Sequence, residues 1–131
     1  MAILGAAKRV LDATAPGQAA EANRTIALMA PHGAIEIALW IALALSAGFC
    51  EEFVFRGYLQ RQLTAFTRSA PAGIALSALC FGLGHGYQGP RSAAVITLYG
   101  LLFGLLAHFS RTLRPGMIAH AWQDAFSGLH G

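Results

Sequence analysis

The chain contains four apolar blocks that are separated by proline, glycine and arginine residues. The blocks cover residues 33–50, 71–86, 92–110 and 115–128. Large aliphatic residues occupy every second position from Ile35 to Leu45, which is the alternation of a β-strand. The intervening positions are mostly alanine, however, and alanine is poor in strands and the best helix former. The pattern therefore predicts four helices, the first of which continues toward Arg68.

The composition places these helices in a lipid bilayer. Hydrophobic residues make up 56% of the chain, charged residues only 11%, and the mean hydropathy is +0.54. A soluble domain has roughly a quarter of its residues charged. The block 92–110 is 19 residues long, about the length that crosses a bilayer. We therefore predict an all-α fold, a polytopic membrane bundle of about four transmembrane helices.

The first 30 residues differ from the rest because they mix apolar and charged positions. We predict an N-terminal interfacial segment and linker over residues 1–30, and the membrane core over residues 31–131. The net charge of +3 would suggest nucleic acid binding in a soluble protein. Here the arginines stand at the ends of apolar runs, where basic residues anchor helices among lipid headgroups. We expect no nucleic acid partner.

The stretch CEEFVFRG places Glu51, Glu52 and Arg56 at the end of the first apolar block. A carboxylate in the middle of a bilayer costs about 2.5–3.5 kcal/mol, and each Leu, Ile or Phe returns about 0.3–0.6 kcal/mol. The seven such residues of 33–50 therefore offset about one carboxylate, not two. Glu52 and Arg56 are four residues apart and share a helix face, so Arg56 can neutralise Glu52. Glu51 points about 100° away from Glu52 and is left for another helix or for water.

Two further helices carry ionisable groups into the apolar region. His85 ends the second block one turn after Phe81, and His120 and Asp124 share one face of the fourth. A role in anchoring the helix at the membrane surface would explain Glu52 and Arg56, but not His85, His120 and Asp124. Ionisable residues on three membrane helices instead face the bundle interior and are functional candidates by default.

These three motifs, in this order, resemble those of a known family. EEFVFRG is similar to an EExxxR motif, FGLGH to FxxxH, and HAWQD to HxxxN or HxxxD. The chain resembles, over residues 31–128, the CPBP family of intramembrane proteases. That family includes the type II CAAX prenyl proteases and the bacteriocin-processing and self-immunity (Abi) proteins. The chain departs from the prenyl proteases at Asp124, where they carry asparagine.

The resemblance implies an intramembrane endopeptidase that acts on a peptide or protein, in CAAX-type or in bacteriocin leader-peptide processing, in a bacterial cell membrane. It implies that Glu51 and His85 activate the attacking water. It further implies that His120 acts toward the oxyanion, with Asp124 either beside it in that role or fixing its tautomer. Glu52, Arg56 and Phe81 would support the site structurally.

The requirement for metal stays open at this point. Glu51, His85 and His120 are a set that could hold zinc, since catalytic zinc takes three protein ligands and a water. A metalloprotease and a metal-free, glutamate-driven protease are therefore both compatible with the residues. Two other classes of protein are also compatible with these residues. One is a catalytically silent membrane scaffold or bacteriocin self-immunity protein, and the other is a small transporter that relays protons. The substrate and the oligomeric state are not fixed by the sequence.

Overall fold

The computed structural model describes residues 30–129 without a break, and four isolated positions before them. The interfacial segment and linker predicted for residues 1–30 thus lie almost wholly outside the described residues and remain a prediction. Every element in the described part is helical. The elements are α1 (Ala34–Glu51), a π-helical segment (Glu52–Leu59), α2 (Gln60–Thr67), α3 (Ala70–Gly84), a 3₁₀ turn (Gly86–Gln88), α4 (Pro90–Ser110) and α5 (Arg114–Leu129).

Two of these helices are long and apolar enough to cross a bilayer. Helix α1, the π-helical segment and α2 form one continuous helix of 34 residues, with a mean hydropathy of 1.7 over its most apolar window. Helix α4 has 21 residues and a mean hydropathy of 1.8, and α3 is a shorter apolar helix. The predicted all-α membrane fold is confirmed. The alternating stretch after Ile35 is helical, because alanine outweighs the strand-like spacing.

Local sequence explains where the helices begin and end. The Ser69 side chain accepts a hydrogen bond from the backbone N–H of Ala72 and caps the start of α3. Pro90 begins α4, directly after Gly89, whose φ of 91° suits glycine. Helices α2 and α4 both end at an arginine in the left-handed region, Arg68 with φ 55° and Arg111 with φ 57°. Glycine is the usual residue there, because other side chains are strained by about 1–2 kcal/mol.

The helices pack as two antiparallel pairs, α1 with α5 and α3 with α4, while α2 packs on α3. Small residues allow the close approach that membrane helices need. A Cβ added at Gly48 on α1 would lie 2.8 Å from the Ala121 Cβ on α5. One added at Gly100 on α4 would lie 3.1 Å from the Ala78 Cβ on α3. The two pairs meet where α4 contacts α5 and where the π-helical segment, which carries the first motif, contacts α3 and α4.

The distribution of side chains fits a bilayer. Large apolar residues cover the outside, including Leu39 at 65% exposure, Phe109 at 78% and Trp122 at 67%. A few charged and polar residues lie inside instead, with Glu52 at 0% and Arg56 at 3%. Lipid tails are as apolar as leucine, so membrane helices gain nothing by turning leucines inward. The interior of the bundle therefore shields these buried polar groups from the lipid.

Candidate active site

The first motif lies on a stretch of wider helix. Residues Glu52–Leu59 form a π-helix, in which the backbone N–H of Gln60 donates to the Phe55 carbonyl five residues before it. The Ser77 hydroxyl, on α3, also donates to that carbonyl at 2.8 Å. The sequence pattern predicts a regular α-helix here, and the π-helical geometry corrects that prediction. Such segments occur mostly as short insertions in α-helices and often at functional sites.

Glu52 and Arg56 form a buried ion pair at the centre of the bundle. Arg56 Nη1 lies 2.8 Å from Glu52 Oε1, and the two side chains are 1% and 0% exposed. Arg56 Nη2 donates to the Gly100 carbonyl at 3.3 Å, and its guanidinium lies 4.4 Å from the Phe81 ring centroid. This is the pair that the four-residue spacing predicts. Removing one partner of such a pair is costly, because the other is left as an uncompensated buried charge.

His120 connects this ion pair to the two remaining carboxylates. Its Nδ1 lies 3.0 Å from Glu52 Oε1, and its Nε2 lies 3.6 Å from Glu51 Oε2 and 3.6 Å from Asp124 Oδ2. The Glu52 oxygen that pairs with Arg56 acts as an acceptor, so His120 Nδ1 is the donor in this contact. In the neutral imidazole, Nε2 is then the unprotonated nitrogen that faces Glu51 and Asp124.

The site has a buried side and an open side. His120 is only 5% exposed, while the side chains of Glu51 and Asp124 are 31% and 36% exposed. Their 3.6 Å separations from His120 Nε2 are too long for direct hydrogen bonds. Both carboxylates can therefore bind a water or a substrate group. Of the two glutamates of the first motif, Glu51 is the one with which Arg56 does not form the ion pair.

His85 enters the site from the end of α3. Its Nδ1 lies 2.9 Å from the Phe81 carbonyl, and a carbonyl can only accept, so Nδ1 carries the proton and Nε2 the lone pair. The Phe81 ring contacts both imidazoles, with centroids 4.9 Å from His85 and 5.8 Å from His120. The predicted residues from three helices thus lie around one region, with Phe81 between the two histidines.

The proposed zinc ligands do not form a metal site in this arrangement. Within residues 30–129 and the isolated positions described, no three His, Cys, Asp or Glu residues are grouped to hold a metal ion. The Nδ1 atoms of His85 and His120 are both engaged by protein oxygens, so these rings have only Nε2 left for a ligand. The set Glu51, His85 and His120 does not fit a zinc ion as placed.

Sequence analysis missed two residues that shape the site. Phe103 on α4 stacks on the His120 ring, with centroids 5.2 Å apart and planes at 20°. Gly116 on α5 faces the ion pair, since a Cβ added there would lie 2.8 Å from Glu52 Oε2. The spacing offered a signal for Gly116 alone, which precedes His120 by one turn and so shares its helix face. Phe103 shares a face only with Gly100, which the sequence does not mark as a site residue.

The fold and the site first define a class of protein, an all-helical membrane protein with a carboxylate, imidazole and guanidinium cluster in its interior. A comparison with protein families then gives a match to the type II CAAX prenyl endopeptidase Rce1-like family over residues 33–126. That range covers more than two thirds of the chain and all three motifs, and the chain belongs to this family. Membership indicates, at family level, a CAAX-type membrane protease that acts on peptide substrates. No curated protein and no solved structure matches the chain.

Proposed function

We propose that this chain is an intramembrane endopeptidase in which Glu51 and His85 activate the water that attacks the peptide bond. One observation carries the proposal. Arg56 is paired with Glu52, which leaves Glu51 as a partly exposed carboxylate 3.6 Å from the His120 imidazole. A general base needs this combination of an available lone pair, access to substrate and a neighbour that can take up or return a proton.

The water would be held by two acceptors. Glu51 offers a carboxylate oxygen, and His85 offers the Nε2 lone pair that remains because Nδ1 donates to the Phe81 carbonyl. A water that donates one hydrogen to each group keeps an oxygen lone pair free for the substrate carbonyl. Glu51 takes the proton as the new carbon–oxygen bond forms. General base catalysis of this kind contributes about 10²–10⁴-fold in rate.

His120 would stabilise the negative charge that develops on the substrate oxygen. Glu52 holds its Nδ1–H, and its Nε2 stands between Glu51 and Asp124. The proton taken up by Glu51 can pass to Nε2, and the resulting imidazolium is stabilised by the carboxylates around it. Its Nε2–H then donates to the oxyanion and protonates the leaving amine. Asp124, as an acceptor, orients that N–H, a role that does not require the amide of asparagine.

The family description favours CAAX-type processing over cleavage of a bacteriocin leader. The location in a bacterial cell membrane stays a prediction from the sequence. The substrate probe of choice is therefore a farnesylated peptide that ends in a C-a-a-X sequence, compared with the same peptide without the prenyl group. We expect the purified chain in phosphatidylcholine vesicles to release the last three residues, identified by mass spectrometry.

Glu51→Gln is the decisive variant, and Glu36→Gln is its matched control. Glu36 lies on the same helix but is exposed, and it accepts a hydrogen bond from the His32 backbone N–H at 2.8 Å, which glutamine can also accept. We expect Glu51→Gln to lose cleavage and Glu36→Gln to retain it. A chain that binds the peptide but never cleaves it would be the catalytically silent scaffold instead.

A further inference from the structure

A groove between α3 and α4 lies at the opposite end of α3 from His85. It has a volume of about 290 Å³ and is formed by the start of α3 and the end of α4, with Ala70, Pro71, Ile74, Leu101, Leu105, His108 and Phe109 as its lining. Its volume is at the lower end of the range for small-molecule pockets. Leu105 and Phe109 are 40% and 78% exposed, so the groove opens on the outer surface of the bundle.

The mouth of this groove is flanked by two arginines. Arg68 precedes Ala70 by two residues and Arg111 follows Phe109 by two, and both are exposed. Two residues span at most about 7 Å, so both side chains can reach the mouth. Neither residues 60–75 nor residues 100–119 include an aspartate or a glutamate. Across these two stretches, both within the described residues, the charged side chains are therefore all positive.

The depth of the groove matches one leaflet of a bilayer. Helix α4 has 21 residues and is about 32 Å long, close to the roughly 30 Å of a hydrocarbon core. Its end at Ser110 then lies at the membrane surface, and the groove runs from Phe109 back to Leu101, about 12 Å into the leaflet. An apolar groove of that depth, with cations only at its surface end, complements a lipid acyl chain below a phosphate.

Both of these arginines end their helices in a strained backbone conformation. Both stand at helix ends in the left-handed conformation, with φ values of 55° and 57°. Glycine or asparagine would end the helices with less strain. The two helix ends beside this groove therefore both carry a positive charge in spite of the strain.

We propose that this groove binds one anionic phospholipid, with its acyl chain against Leu105 and Ile74 and its phosphate at Arg68 and Arg111. The site is separate from the Glu51 cluster and does not depend on peptidase activity. A lipid bound there would join α3 to α4 and thereby steady the helix that ends at His85.

The test measures lipid binding by the purified full chain in a neutral detergent. Native mass spectrometry gives the affinity for dioleoyl phosphatidylglycerol and for dioleoyl phosphatidylcholine, which share acyl chains. We expect the chain to bind the anionic lipid more tightly. Each arginine near a lipid surface contributes about fivefold to such binding, so Arg68→Gln with Arg111→Gln should weaken phosphatidylglycerol binding about 25-fold.

The charge-matched control is Arg61→Gln with Arg114→Gln, two exposed arginines that stand farther along the chain from the groove lining than Arg68 and Arg111 do. This double variant should keep the wild-type affinity. Leu105→Trp, which fills the groove, should weaken binding of both lipids. Helicity and the melting temperature in phosphatidylcholine establish that each variant is folded before its affinity is compared.

Equal loss of phosphatidylglycerol binding in the two double variants would overturn the proposal, because it would show a response to overall charge rather than to a site. Unchanged binding in Leu105→Trp would also overturn it. Inorganic phosphate that displaces the lipid or matches its effect at equal concentration would mean that the arginines bind a free anion, which contradicts a lipid site.

Discussion

The contact between Gly116 and Glu52 gives a sharp test of how the site is held. In Gly116→Ala, the added Cβ would lie 2.8 Å from Glu52 Oε2 and 3.4 Å from Glu52 Cδ. Glu52 is fully buried and held on its other oxygen by Arg56 at 2.8 Å and His120 at 3.0 Å. It is therefore not a flexible side chain that can move aside at no cost. Relief of the clash requires a shift of about half an ångström in Glu52 or in α5.

That shift sets the size of the expected effect. A displacement of 1 Å in a catalytic site costs on the order of 100-fold in rate, so half an ångström should cost about tenfold. The loss should appear in kcat, with little change in KM, because Glu52 positions His120 and does not touch the peptide. Alanine is the better helix former by about 1 kcal/mol, which offsets part of the strain, so the fold should survive.

The assay is steady-state cleavage of the farnesylated reporter peptide, with the melting temperature measured in parallel. Gly84→Ala is the matched control, since Gly84 is also helical but a Cβ there would meet nothing within 4 Å. The control should keep wild-type kcat. If Gly116→Ala also kept wild-type kcat with an intact fold, the contact with Glu52 would have no part in positioning His120, and the reasoning would be refuted.

Three further changes test the packing around the site, each by the melting temperature of the purified chain. Trp40→Phe removes the indole N–H that donates to the Asp124 backbone carbonyl at 3.1 Å, and it should lower the free energy of unfolding by about 0.5–1.5 kcal/mol. An unchanged stability would mean that water replaces the hydrogen bond. Gly104→Ala would place a Cβ 2.7 Å from Gln60 Oε1 and should lower the free energy of unfolding by about 1–3 kcal/mol. The loss should be smaller in a Gln60→Ala background. If the losses of the two single variants simply added in the double variant, that contact would be contradicted. Phe103→Leu should lower both stability and kcat, since a buried aromatic stack contributes about 0.5–1.5 kcal/mol beyond its area; a loss of stability alone would separate it from catalysis.

The helices and the ion pair could be predicted because their signals are local. Apolar blocks bounded by proline and glycine predicted the helices to within two residues at most ends, as for α4 at Pro90–Ser110. The four-residue spacing of Glu52 and Arg56 places them on one face in either helical geometry, so their pairing did not depend on the rest of the fold.

Other features depend on the tertiary structure and had no local signal. The π-helical geometry of Glu52–Leu59 is accompanied by a hydrogen bond from the Ser77 hydroxyl, on α3, to the Phe55 carbonyl. No pattern around Ser77 or Phe55 predicts this geometry from the sequence. Phe103 reads as one more apolar residue in a membrane helix, and only its position beside His120 distinguishes it. The preference of His120 Nδ1 for Glu52 over Asp124 likewise follows from how α5 crosses the first helix.

The central claim is that Glu51 activates the attacking water, and the single-turnover rate constant of Glu51→Gln tests it most directly. With enzyme in excess over the farnesylated peptide, product release does not limit the observed rate. The account predicts a rate constant at least about 100-fold below that of Glu36→Gln, with equal peptide binding and equal melting temperatures. A Glu51→Gln rate constant within about threefold of that control would contradict the account.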